Sequence, residues 1–187
     1  MREIKSYLAD LPLEILSLKD FHFKSNFQEK AKSFLENALA KSLFYSEQSE
    51  ILTLAEDSGL EIENLGGAPG VFSARFSDPQ ATDEKNIQKV LNLMRGIPFD
   101  KRKAQFVCYL VLSQKGEIIK EVKGQVRGFI TFKKRGHCGF GYDPIFYYPP
   151  FKRTFAELEP EEKNKVSHRG RALRKMKTFL LDFLDRK

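Results

Sequence analysis

Residues 104–112 read Ala104-Gln105-Phe106-Val107-Cys108-Tyr109-Leu110-Val111-Leu112, an apolar run rich in aromatic and β-branched side chains. Such a run reads as a buried strand. Working outward from it, Glu117–Lys123 and Gln125–Phe132 are expected to be two further strands, joined near Gly124 as a hairpin. Upstream, Ile51-Leu52-Thr53-Leu54-Ala55 is a short buried-strand run halted by Asp57-Ser58-Gly59. Leu13 to Leu18 alternates well enough for another strand, and Asp20 to Gln28 reads as loop. Between these lie helical patterns. Residues 2–11 keep Ile4, Leu8 and Leu11 on one side, and Glu29–Ser46 carries the stripe Ala31, Phe34, Leu35, Ala38, Leu39 and Leu43. Thr82 caps a helix over Lys85–Met94, and Ser167 caps a last helix, Arg169–Leu184, with Leu173, Met176, Leu180 and Leu184 as its buried stripe. Gly66-Gly67-Ala68-Pro69-Gly70 forces a loop, and Gly136–Pro150 is glycine- and aromatic-rich and irregular. The fold class expected is therefore α/β.

The 187 residues suffice for one substantial core, or one domain with two lobes, and 41% hydrophobic with 30% charged residues is an ordinary globular balance. No apolar stretch is long enough to cross a bilayer, and the first residues lack the apolar core of a secretory signal. Cys108 and Cys138 form no disulfide framework, so a reducing cytoplasm is the expected compartment. The net charge of +7 is concentrated between Lys163 and Lys187. A positive protein attracts any polyanion, nucleic acid or free nucleoside triphosphate alike, and charge alone does not choose between them.

Four clusters could carry chemistry. Glu56-Asp57-Ser58-Gly59 puts carboxylates at an expected strand end, where they can hold Mg²⁺ and orient a water, although Asp-Ser-Gly is also common turn chemistry. Glu36-Asn37 and Lys41 lie on the helix over Glu29–Ser46, and Asn37 and Lys41, four apart, share a face from which a metal or phosphate could be addressed. Gly139-Phe140-Gly141-Tyr142-Asp143-Pro144 sets an aromatic between glycines, so backbone can approach a flat ligand while the ring offers a stacking platform. The rival reading is a tight turn with its aromatics in the core. Lys163 and Ser167-His168-Arg169 stand before or at the start of the last helix, an end that favours anions and carbonyl oxygens. Gly136-His137-Cys138 has no second ligand pair and does not make a zinc site.

In that order, with Phe34–Ala38, Ala55–Leu60, Leu65–Phe76, Phe140–Phe146 and Ala156–Arg169, the chain resembles the inosine-triphosphate pyrophosphatase family over nearly its whole length. The resemblance implies a long twisted mixed sheet flanked by helices, in two lobes with a central substrate cleft. It implies a Mg²⁺-dependent homodimer that cleaves deaminated purine nucleoside triphosphates (ITP, dITP, XTP) to the monophosphate and pyrophosphate. Asp57 would be the general base and a metal ligand, Glu36 would assist the metal, and Ser58 and Lys41 would touch substrate. Phe140, Gly141, Tyr142, Asp143, Lys163, His168 and Arg169 would line the nucleotide pocket. Donors at His168 or Arg169 and an acceptor at Asp143 would suit the 6-oxygen and N1–H of hypoxanthine and leave adenine mismatched. Neither a membrane nor nucleic acid is the expected partner.

The family opens with a strand and a Ser/Thr-x-Asn-x-x-Lys phosphate grip, and Met1-Arg2-Glu3-Ile4 matches the start of the helix that follows. Strand and grip are therefore expected upstream of this sequence, with an internal Met as its start. Deliberate shortening or natural loss would leave the same first residues. Three rival functions follow: a pyrophosphatase for modified pyrimidine nucleotides, a nucleotide-binding remnant without catalysis, and a basic nucleic-acid-binding module.

Overall fold

The computed structural model describes residues 2–23 and 26–186. Met1 and Lys187, and Lys24 and Ser25 of the expected loop Asp20–Gln28, lie outside the described residues. Among the described residues five α-helices, α1 (Arg2–Leu8), α2 (Phe34–Ser49), α3 (Asp83–Leu93), α4 (Pro160–Val166) and α5 (His168–Leu184), accompany five strands. These are β1 (Thr53–Ile62), β2 (Lys103–Gln114), β3 (Glu117–Ile130), β4 (Phe146–Tyr148) and β5 (Arg153–Thr154), in the sheet order β1-β2-β3-β4-β5. The α/β class expected from the sequence stands.

Every pairing the described residues define is antiparallel. The start of β1 lies by the end of β2, where Ser42 Oγ donates to both Thr53 O and Val111 O, while Gln105 Nε2 reaches Glu61 Oε2 at 2.7 Å from the opposite ends. Lys115 and Gly116, at φ of 51° and 76°, turn β2 into β3 in the way two-residue hairpins do. β4 pairs with β3 through Phe129↔Tyr147 and Ile130↔Phe146, and with β5 through Tyr148↔Arg153.

Several expectations need correction. Gly124 does not end a strand: Glu117–Ile130 is continuous, and the hairpin turns at Lys115-Gly116, where two positive φ values are needed. β1 is not halted by Asp57-Ser58-Gly59 but runs on to Leu60 and Ile62, both fully buried, because their burial outweighs the turn preference of that tripeptide. Helix α2 begins at Phe34 rather than Glu29, since Ser33 Oγ accepts the Glu36 N–H and Asn37 Oδ1 takes the Ala31 N–H outside the helix. Leu13–Leu18 forms no strand among the described residues. Leu13 and Ile15 instead pack side-on against the cluster containing Leu8 and Leu112 and border an apolar cavity of about 240 Å³. Helix α4, opened by Pro160 at its first position, precedes the last helix.

The chain divides into two units. One comprises the described residues of Met1–Asp57, Cys108–Gly124 and Arg169–Lys187; its core joins Leu8, Leu11, Cys108, Leu110, Leu112, Leu173 and Met176. The other comprises Ser58–Val107 and Gln125–His168, and its core joins Leu60, Ile62, Val90, Met94, Phe106, Ile130, Phe146 and Phe155. Strands β1, β2 and β3 contribute residues to both. Among the described residues no helix is long and apolar enough to cross a membrane.

Candidate active site

Successive residues of a strand point to opposite faces, and β1 uses this at Glu56 and Asp57. Asp57 meets α2, where Asn37 Nδ2, on a residue only 1% exposed, donates to Asp57 Oδ2 at 3.0 Å. Lys41, one turn on from Asn37, donates from Nζ to the Glu56 carbonyl at 3.0 Å and pairs with Glu29. Glu36 sits beside Asn37 in the first turn of α2 and is exposed. Ser58 follows on β1, half-buried.

Glu56 turns the other way, to the first turn of α5. Arg169 Nε reaches both Glu56 carboxylate oxygens, at 2.8 and 3.0 Å, Nη2 adds a third contact at 2.7 Å, and Nη1 reaches Glu3 Oε2 of α1 at 2.6 Å. Burial by itself would lower the pKa of this guanidinium, but the charges and hydrogen bonds of Glu56 and Glu3 more than reverse that and raise it. Below them Cys108 is buried, and burial first, then the nearby Glu56 charge, pushes its thiol well up, so it is an inert core side chain.

A divalent metal was expected at Asp57 and Glu36. Among the described residues no three His, Cys, Asp or Glu side chains converge on one point, so there is no all-protein cage. Carboxylates on β1 and on the first turn of α2 are hard oxygen donors, and Asp57 is held in orientation by Asn37. One or two carboxylates completed by other oxygens is how Mg²⁺ is usually bound, and Asp57 is an oxygen donor of that kind.

The second site belongs entirely to the other unit. Gly139 (φ +81°) and Gly141 (φ +58°) bracket Phe140, and a Cβ at Gly139 would lie 2.1 Å from Asp143 Oδ2. Only glycine permits the approach that lets Asp143 Oδ2 accept the Phe140 N–H at 2.8 Å. The same oxygen accepts Lys163 Nζ at 2.5 Å, in an ion pair whose side chains are 3% and 7% exposed. Lys163 Nζ also lies 4.3 Å from the centroid of the Phe140 ring, a cation–π contact. The ring is 52% exposed. The two aromatics of the motif thus divide between the two readings the sequence left open. Phe140 faces outward, whereas Tyr142, expected in the pocket, is core: it is 4% exposed and its hydroxyl donates to Ser73 O at 2.8 Å. Burial, and to a lesser degree the charge of Asp83, raise its phenol pKa. Gly141 donates its N–H to Asp83 at 2.7 Å.

His168, the first residue of α5, is buried and stacks on Phe106 with centroids 4.7 Å apart and planes 11° from parallel. The structure therefore brings Phe140, Gly141, Asp143 and Lys163 into one cluster, and Asp57, Glu56, Asn37, Lys41 and Arg169 into another. Arg169, expected as a donor to the base, has its guanidinium on two carboxylates instead. Glu3 and Asp83 were not found by sequence reasoning: one is an ordinary charge on a short amphipathic helix and the other an ordinary first-turn acid, with no signal beyond that.

Comparison with known proteins shows the family. The model of the Ham1 family matches residues 1–179. A dITP/XTP pyrophosphatase of Thermoanaerobacter pseudethanolicus is 42% identical over 186 residues, 99% of this chain and 93% of its own. The dITP/XTP pyrophosphatase of Bacillus cereus is 45% identical over 180 residues, 94% of this chain and 87% of its own. Among solved structures, a HAM1 protein from Coxiella burnetii superposes with a TM-score of 0.90 at 39% identity, covering 97% of this chain and 92% of that one. The match runs through both clusters and nearly the full length, so the chain belongs to the Ham1 family and is a hydrolase.

Proposed function

We propose that this chain hydrolyses deaminated purine nucleoside triphosphates (ITP, dITP and XTP) between the α- and β-phosphates, releasing pyrophosphate, with Mg²⁺ as cofactor. The observation that carries the reading is the buried Asp143–Lys163 pair under the outward-facing Phe140 ring. A stacking face with a fixed acceptor and a fixed donor beside it suits a flat base whose edge carries an N–H and a carbonyl oxygen. The names of the relatives, dITP/XTP pyrophosphatases, support dITP and XTP among these substrates.

In this reading Phe140 stacks on the base, Asp143 accepts its N1–H, and Lys163, with His168 at the start of α5, addresses the 6-oxygen. Adenine would set its amino group against these donors and leave buried polar atoms unpaired, the mismatch that discriminates most strongly. Asp57, oriented by Asn37, takes a proton from the attacking water. Glu36 and Asp57 would hold Mg²⁺, which neutralises developing charge on the phosphates. Lys41 and Ser58 meet phosphate oxygens. Arg169 holds Glu56 and Glu3, so contact with the nucleobase would require it to leave two ion pairs.

The test is pyrophosphate release from ITP, dITP, XTP, ATP and GTP, each with Mg²⁺ and with EDTA. Metal-dependent release favouring the deaminated forms is expected. Equal rates on ATP and ITP would defeat the base assignment, and salt-sensitive oligonucleotide binding without any hydrolysis would favour the nucleic-acid module.

A further inference from the structure

Presenting an apolar ring to solvent needs a loop that cannot collapse inward. Two successive amides of the Phe140 loop are tied to carboxylates. The Phe140 N–H goes to Asp143, within the loop itself, but the Gly141 N–H goes to Asp83 Oδ2 at 2.7 Å, 58 residues away in sequence. Asp83 is the first residue of α3, and that helix is firmly placed. Thr82 Oγ1 caps it through the Lys85 N–H, Ile87 and Val90 are buried, and the side chain of Asn86 bonds Ser73 O, Ala74 O and the Ser77 N–H. Ser73 O is also where the Tyr142 hydroxyl lands. One helix therefore holds the loop at Gly141 directly and at Tyr142 through the segment it braces.

We infer that Asp83 is a positioning residue for nucleotide binding: by fixing the Gly141 amide to α3 it holds the Phe140 ring outward in the orientation that stacks on the base. The inference rests on the stacking reading proposed above. It predicts a loss of binding without a loss of chemistry, since the carboxylate touches neither substrate nor reacting atoms.

Steady-state kinetics with Mg²⁺ and ITP tests it. Asp83→Ala should raise KM about five-fold with kcat changed less than about two-fold, the pattern of lost uniform binding. Asp83→Asn, which keeps an acceptor oxygen, should restore KM. Glu84→Ala, which removes the neighbouring ion pair to Lys134 and the hydrogen bond from Gln88, should leave KM unchanged. In a Phe140→Ala background Asp83→Ala should add nothing, because the ring it positions is gone. If Asp83→Ala does not fold, Asp83→Glu, displacing the carboxylate by one methylene, must give the same KM rise. A KM unmoved by Asp83→Ala while Phe140→Ala raises it overturns this inference alone, and so does an undiminished effect in the double variant. A KM unmoved by Phe140→Ala overturns the stacking reading and this inference with it.

Discussion

Each unit sets a carboxylate against a cation, and the two do so in opposite ways. In the first, Glu56 and Glu3 share Arg169, with side chains 17%, 25% and 19% exposed, in a network that water still reaches. In the second, Asp143 and Lys163 form a pair only 3% and 7% exposed. A wet network tolerates rearrangement and gains little from any one pair, whereas a dry pair fixes geometry and leaves a costly orphan if either partner goes. In the reading proposed above, the dry pair beneath Phe140 would hold a base in one orientation.

The comparison can be broken at five places, with effects expected to decline in this order. Asp57→Asn keeps an oxygen for Asn37 to donate to, so folding should be unaffected while pyrophosphate release from ITP falls by about 10³-fold or more. Near-normal turnover would remove Asp57 from the chemistry. Lys163→Met removes the cation from a buried ion pair and should cost about 3–5 kcal/mol in urea unfolding, most of it recovered in the double variant with Asp143→Asn.

Phe140→Ala should weaken nucleotide binding by about 1–3 kcal/mol, read as the Kd of a non-hydrolysable ITP analogue. The half-exposed ring contributes little to the core, so a large drop in Tm without a change in Kd would make it structural. Glu3→Gln in the wet network should cost less than about 1 kcal/mol in urea unfolding, and a loss equal to that of Lys163→Met would erase the distinction between the units. The smallest effect concerns acid. Burial opposes ionisation of Glu157, but the hydrogen bonds from Thr154 and the contacts of Arg135 outweigh it and hold its pKa below the ordinary 4.5. A lowered folded pKa stabilises above the ordinary value, and that contribution fades as pH falls through the folded one. The stability difference between the wild type and Glu157→Gln should therefore be constant from neutrality down to about pH 5 and shrink below that, as thermal unfolding across pH would register.

Much of this was legible in the sequence because it is local or periodic. The stripe of α5, the Thr82 cap, the buried run of β2 and the glycines around Phe140 each carry their meaning within a few residues. Local chemistry misled where long-range packing prevailed. Asp57-Ser58-Gly59 reads as a turn and is strand because Leu60 and Ile62 are core, and Leu13–Leu18 alternates as a strand does yet pairs with nothing among the described strands.

The sequence by itself determined the class of the fold, through the periodicity of its apolar residues, and the family, through the resemblance its motifs carry in order. Only the tertiary structure decided what each charge faces. Arg169 and Glu56 lie 113 residues apart, and Gly141 and Asp83 lie 58 apart. No periodicity links such positions: a side chain's partner is set by which faces of which elements pack together, and that is fixed by the burial of apolar surface over each whole unit rather than by the charged residue itself.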